Sequence, residues 1–447
     1  MKANDIKILL LISEKYRHST MANQAGVESA YGWRDQFKQP LNMNCDKIII
    51  IVVILFVIFG CQTEKQADVA KGEVVTVPVV DNIKEYLINS SLYLSSFVDK
   101  IDIIPLEFTD DCILSKIEKV VIYKDNIFVI EHFNSNGGKI YRFDMKGNFL
   151  NSIGNRGQGP QELLELMDFA INEDNNTIYL LDNAKQMIFC FDFNGKFIER
   201  IFINQYADAL AYSDGLFYVF ADNPSTGKNL FNLIIRNTKG EIVNMYFPSK
   251  KYLSSTNAKI FTKTKDGLLF THPMDDIFYS LKGDSLYNFL FFDFGSYRFT
   301  LKEIEDINMM RRQTLDILME NERFAGADNF YHIGKWIYFN STYKIVSHTF
   351  LYDINSGEIK VAAQIGDDLE YMFNNNFCGQ TEDALIGVYI PETHLESDME
   401  GFSIYEKEKI ISRAKKEEQV KKMKSIMRGD KPEEMNPWIL LYYLKQE

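Results

Sequence analysis

The stretches "KIYRFDMKGNFLNSI" (139–153) and "MIFCFDFNGKFIERI" (187–201) align without a gap. Phe143, Asp144, Gly147, Phe149 and Ile153 recur 48 residues later as Phe191, Asp192, Gly195, Phe197 and Ile201. A Phe-Asp-x-x-Gly-x-Phe core reads as a hairpin between two strands. Asp at the turn start accepts the following backbone N–H groups, and Gly supplies a positive φ. Asp144 and Asp192 are therefore expected to be structural.

Working outward, each hairpin is preceded by another strand pair, "KVVIYKDNIFVIEH" and "MDFAINEDNNTIYLLD", so each unit holds four strands. Fainter copies follow. Gly240 lies 45 residues after Gly195, Gly283 lies 43 beyond that, and Gly357 lies 74 further on, across a gap that must also hold an insertion. "YMFNNNFCGQTEDALIGVYI" opens a sixth unit that is interrupted. Four-stranded units repeating every 40–50 residues bury their faces against one another as the blades of a β-propeller. The expected fold is all-β, with six blades. "NPWILLYYLK" (436–445) supplies the third strand of blade six, and "IDIIPLEF" (101–108) its outer strand. Strands from both chain regions then close the ring and remove its open seam.

Composition agrees. Among 447 residues, 46% are hydrophobic and 14% aromatic, with Phe and Tyr in short runs with Ile, Val and Leu, as strands require. The net charge of −13, with no basic stripe, argues against nucleic acid as a partner.

"MNCDKIIIIVVILFVIFGCQTEK" places Lys47 before an apolar run, Ile48 to Phe59, that suits the h-region of a signal peptide and is short for a bilayer span. The ending, Ile58, Gly60 and Cys61, resembles the lipobox of bacterial lipoproteins. That resemblance implies lipidation of Cys61 and attachment to a membrane. Residues 1–42 then read as an upstream extension, 43–60 as signal peptide, 61–80 as lipidated cysteine and flexible tether, and 81–447 as propeller. The remaining cysteines, Cys112, Cys190 and Cys378, are too far apart in sequence to suggest a zinc site or a disulfide framework.

"IIPLE" (103–107), "YRFDMKGNFLNSIGNRGQGPQE" (141–162), "DNAKQMIFCFDFNGKFI" (182–198) and "NPWILLYYLK" resemble the six-bladed β-propeller lipoproteins of Gram-negative bacteria, related to NHL-repeat propellers. The resemblance implies a fold and a place in the cell envelope, with the propeller in the periplasm or at the cell surface. It implies no chemistry.

Two helical insertions are expected, at about 300–324 and 391–434. The first has Leu301, Ile304, Ile307, Leu315 and Leu318 near helical spacing behind a Thr300/Glu303 capping box. The second carries Ile410, Ile411, Val420, Met423 and Met427 as a broken apolar stripe amid charges, consistent with a helix on the barrel rim. Strands alternate direction within a blade, so connections between blades and those between second and third strands emerge on one face. Both insertions belong to that face, termed here the crossover face. Loops carried by a rigid scaffold commonly hold function. The candidate ligand-binding residues are Arg156, Gln158, Asp111, Glu131, His132, Asp182, Asn183, Asp222, Asn223 and His272.

No HExxH pair, GxSxG elbow or P-loop ending is present, so no residue is assigned a catalytic role. His348 is expected to point outward from a third strand. The acidic and amide residues could hold calcium or another divalent ion, although turn-rich loops place Asp and Asn there in any case. No cofactor is otherwise implied. The reading is a lipid-anchored binding or scaffold protein for a glycan, peptide or protein. The alternative is a metal-assisted hydrolase or lyase acting on a sugar or peptide.

Overall fold

The structure is a computed structural model. It describes residues 69, 74–79, 83, 90–131, 139–221, 231–248, 259–273, 275–298, 322–324, 326–344, 346–370, 377–395, 398, 412–427 and 431–446. The leader with Cys61, the insertion helix expected at 300–324 (except residues 322–324), His132, Asp222 and Asn223 lie outside them.

Strands are numbered along the chain. β1 (Val75–Pro78), β2 (Ser91–Tyr93) and β3 (Val98–Pro105) precede the first complete blade. Blade one is β4 (Ile117–Tyr123), β5 (Asn126–Glu131), β6 (Ile140–Asp144) and β7 (Phe149–Ile153). Blade two is β8 (Leu166–Asn172), β9 (Thr177–Asp182), β10 (Met187–Asp192) and β11 (Phe197–Phe202). Blade three comprises β12 (Ala209–Ser213), β13 (Leu216–Phe220), β14 (Phe231–Asn237) and β15 (Ile242–Pro248). Blade four comprises β16 (Phe261–Thr264), β17 (Gly267–Thr271), β18 (Ile277–Lys282) and β19 (Ser285–Asp293). In blade five, β20 (Asp328–Ile333), β21 (Trp336–Tyr343), β22 (Val346–Asp353) and β23 (Ile359–Ala362) follow in order. β24 (Gln364–Gly366) pairs with β2 in a separate parallel ribbon. Blade six is β25 (Phe377–Gln380), β26 (Ala384–Tyr389), β27 (Trp438–Leu444) and, outermost, β3.

Ring closure therefore follows the expected route: β27 pairs antiparallel with β3, Leu440 opposite Ile103. Six main apolar clusters fill the six inter-blade seams. The closing seam holds Ile104, Ile386, Ile439 and Leu441 of blade six against Val120, Ile127 and Phe143 of blade one. The most aromatic seam joins blades four and five, where Phe278 stacks on Phe330 at 4.2 Å and Phe292 meets Phe339 at 4.5 Å. Middle strands are covered on both faces, which is why β9 and β13 read as continuous apolar runs.

The repeat turns behave as read. Asp144 Oδ1 accepts from Lys146 N (2.8 Å) and Asn148 N (2.9 Å), and Asp192 Oδ1 accepts from Asn194 N and Lys196 N (2.9 Å each). Gly147 (φ +85°) also presses on the preceding blade: a Cβ there would sit 2.0 Å from the Pro105 carbonyl oxygen. Gly283 (φ +57°) has nothing within 4 Å of that position. Gly147→Ala should therefore cost at least about 2 kcal/mol in urea unfolding, and Gly283→Ala only the left-handed strain of about 1 kcal/mol. Equal losses would mean that this turn does not clip onto blade six.

Two features depart from the sequence reading. Part of the expected tether is docked: β1 adds to blade four parallel to β19, Val75 opposite Leu290 and Pro78 opposite Asp293. Val77 and Val79 are buried there, and Val69 packs on the seam between blades three and four. Val77 and Val79 supply the reason: alternate residues, they bury one face of the strand against the core, while the backbone pairs with the free edge of β19. Second, His348 is fully buried. Its ring lies 5.9 Å from that of Phe324, and its Nδ1 is 3.0 Å from the Val346 carbonyl oxygen. The chain that crosses from blade four to blade five covers the outward face on which the residue was placed. The second insertion's helix agrees with the sequence reading: it is α1 (Arg413–Met427), with Met423 buried and Val420 and Met427 packed beside Trp438 and Leu395. Among the described residues, no helix is long and apolar enough to cross a membrane.

Candidate functional site: the crossover face and the axis beneath it

Three of the expected positions, Glu131, Asp182 and Asn183, accept hydrogen bonds from this chain's own connections. Glu131, at the end of β5, accepts from the N–H and the hydroxyl of Ser115 at 2.8 Å each. Asp182, at the end of β9 and fully buried, accepts from Leu164 N at 2.6 Å and from Lys185 N at 2.8 Å. In blade four Thr271 Oγ1 donates to the Lys259 carbonyl at 3.1 Å, and in blade five Ser341 Oγ donates to the Gly326 carbonyl. Each partner, residues 115, 164, 259 and 326, lies two residues before an inner strand. A polar side chain at or near the end of a second strand thus pins the chain as it enters the axis. Asn183 performs a related task, accepting from Ala207 N at 2.8 Å. His272 is buried in blade four, its ring 4.8 Å from that of Phe247, and burial holds its pKa down.

The remaining described candidates face solvent. Asp111 is exposed in the tight Thr109–Cys112 turn, and Arg156 and Gln158 are exposed on the crossing after β7. That crossing is stiff. Gly159 N donates to Glu162 Oε2 at 2.7 Å, and Lys185 Nζ donates to the Gly159 and Glu162 carbonyls at 2.7 and 2.6 Å. Gly157 fits because a Cβ would fall 2.0 Å from Glu162 Oε2. The same connections expose apolar side chains: Phe108 (39%), Ile113 (55%), Leu164 (38%) and Tyr206 (44%).

Beneath this face lies a polar belt that the sequence reading did not single out. Lys119 of β4 donates to Asp168 Oδ1 of β8 at 2.6 Å and to the Phe169 carbonyl at 2.8 Å. Asp168 Oδ2 accepts from Leu210 N of β12 at 2.8 Å. On the other side, Lys259 holds its ammonium 4.1 Å from the centroid of Tyr331 on β20, whose hydroxyl donates to the Phe377 carbonyl of β25 at 2.6 Å. The ladder register slips at this level in β4, β8, β20 and β25, and such bulges re-aim side chains. A visible signal existed: Lys119 and Asp168 are charged residues at matching third positions of largely apolar inner strands. The opposite end of the axis is crossed by Gln380, whose Nε2 donates to the Lys263 and His332 carbonyls at 3.0 and 3.1 Å.

Desolvation, reinforced by the Lys119 cation, lowers the Lys259 amine to about 7. Burial drives the thiols the other way: Cys378 and Cys112 rise to about 12 and Cys190 to about 11, so these three cysteines are poor nucleophiles at neutral pH. Beside the first insertion, Arg298 Nη2 donates to Asp276 Oδ1 at 2.7 Å. Burial and then the neighbouring Asp275 carboxylate raise Asp276 despite that pairing. Among the described residues, no three His, Cys, Asp or Glu side chains converge as a metal ion would require.

Residues 75–443 match the model of a domain family of unknown function, DUF4934. The chain belongs to that family. No curated protein matches it. A solved protein of Bacteroides fragilis, provisionally described as exported, superposes with a TM-score of 0.65 at 15% identity, covering 83% of this chain and all (100%) of that one. The DUF4934 chain thus shares its fold with that protein. A DUF4221 protein of Bacteroides vulgatus aligns over 59% of this chain and 84% of its own, at 11% identity and a TM-score of 0.39. Virginiamycin B lyase of Staphylococcus aureus aligns over 59% and 73%, at 13% identity and 0.35. At those scores neither bears on function.

Proposed function

We propose that this DUF4934 propeller is a lipid-anchored envelope protein of the binding or scaffold type, engaging a glycan, peptide or protein through its crossover face. One observation carries the reading. Connections pinned at their entry to the axis present Phe108, Ile113, Leu164, Tyr206, Arg156 and Gln158 to solvent, a mixture of apolar, cationic and amide groups on a pre-organised surface. The NHL-like kinship and the lipidation of Cys61 belong to the same proposal, and the exported Bacteroides relative is compatible with it.

The test is a thermal-shift screen of the protein against oligosaccharides, peptides and divalent ions. A ligand present at about 100 times its Kd should stabilise the fold by about 2.7 kcal/mol. The shift should vanish in Arg156→Ala/Tyr206→Ala without loss of basal stability. A shift that survives the double substitution would remove the site from this face, and a shift with divalent ions alone would favour the metal-assisted hydrolase reading.

A further inference from the structure

Among the described residues, blade four is the one blade with a fifth strand, and its own four, β16 to β19, are complete without it. β1 is held along a single edge. Four parallel register pairs, from Val75 opposite Leu290 to Pro78 opposite Asp293, are extended by Val79 N, which donates to the Asp293 carbonyl at 3.0 Å. Val77, Val79 and Ile83 are buried in the seam between blades four and five, in the cluster that also holds Leu290, Phe292 and Phe294. Val75, Thr76 and Pro78 stay exposed.

That hold is modest. Three buried aliphatic side chains and one row of backbone hydrogen bonds are set against the conformational entropy of ordering the strand, and the opposing terms are of similar size. The chain just before β3 is fastened far more firmly. Leu94 and Phe97 are fully buried, Ser95 N donates to Asp368 Oδ1 at 2.9 Å, and Lys445 N donates to the Phe97 carbonyl at 2.8 Å. A strap fixed at that end and lightly held beyond it can leave blade four without opening the ring. Its departure bares the outer backbone groups of Leu290 to Asp293 and the apolar seam beside them, which call for another strand of the same pattern.

We infer that the outer edge of β19 is an interaction site between two copies of this chain, each giving its β1 to the other. A second copy carries the strand that fits, with the two valines at the same spacing. Every pair from Val75–Leu290 to Pro78–Asp293 is recovered between the chains, so the exchange loses no contact. Pro78 discourages a longer stack. Because Val79 N points to Asp293, the alternation of a parallel ladder turns Pro78 away from β19, where its missing N–H withholds a donor from any further strand. The site is separate from the connector surface proposed above, and neither depends on the other.

The experiment mixes two full-length variants, one carrying Thr76→Cys and the other Phe291→Cys. These positions are register partners, Thr76 exposed and Phe291 half-buried, so the mixture forms a specific 76–291 disulfide only if β1 crosses between chains. On oxidation it should give a covalent dimer with that linkage, identified by mass spectrometry, in a yield that rises about in proportion to protein concentration below saturation. The double variant Thr76→Cys/Phe291→Cys sets the yield of the same pair within one chain. Adding Val77→Asp and Val79→Asp to the Thr76→Cys chain should cut the linkage between chains at least about tenfold. Val75→Asp, at a position 57% exposed, should leave it within about twofold. A double variant that closes its bond while the mixture forms none would overturn the inference. So would a linkage between chains that survives the two aspartates or is lost equally with Val75→Asp, and so would a double variant that forms no 76–291 bond at all.

Discussion

Phe339→Ala should cost about 3–5 kcal/mol in equilibrium unfolding. The ring is fully buried on β21, stacked on Phe350 at 4.8 Å and set against Phe292 at 4.5 Å and Phe278 at 5.5 Å. It therefore joins two strands of blade five to two of blade four. Truncation leaves a cavity whose aromatic walls belong to different blades and cannot all collapse inward. Phe202→Ala is the control: that residue is 56% exposed and should change stability by no more than about 0.5 kcal/mol. A loss below about 1 kcal/mol for Phe339→Ala would mean that the seam between blades four and five is not packed as described.

Asp182→Ala should cost about 2–4 kcal/mol, by leaving the Leu164 and Lys185 amides without their charged acceptor in a buried site. Arg156→Ala and Gln158→Ala, on the same crossing but exposed, should change stability by less than about 0.5 kcal/mol. The comparison separates residues that hold the face from residues that face a partner. Asp182→Asn should fall between, since an amide oxygen still accepts but carries no charge. If Asp182→Ala is as stable as the unsubstituted protein, its carboxylate is not a clamp.

Much of the fold was legible because propeller blades repeat. The turn chemistry at Asp144 and Gly147 recurs at Asp192 and Gly195, and a repeat fixes strand number, blade number and the faces on which connections emerge. Ring closure could be read because β3 and β27 are the apolar runs left without a partner. The docking of β1 could not, since a short Val-rich stretch pairs with whichever edge is free, and only the three-dimensional ring shows that the edge of β19 is. The hydrogen bonds of the candidate residues were not legible. Glu131, Asp182 and Asn183 lie where expected, yet their oxygens accept from backbone groups distant in sequence. His272 packs on Phe220 and Phe247 of blade three, and His348 on Phe324 of the crossing to blade five, contacts between residues distant in sequence. Lys119 and Asp168 come from two blades, as do Lys259 and Tyr331, and only the folded ring brings each pair together.

The crossover face is the surface proposed to meet a partner. A photo-crosslinking residue placed in turn at Gln158 and Tyr206 on that face, and at Lys239 and Asp284 on hairpins of the other, tests this in intact cells. The prediction is a discrete adduct from residues 158 and 206, lost when Arg156 and Leu164 are replaced by alanine, and none from residues 239 and 284. Adducts formed equally from both faces, or only from residues 239 and 284, would contradict it.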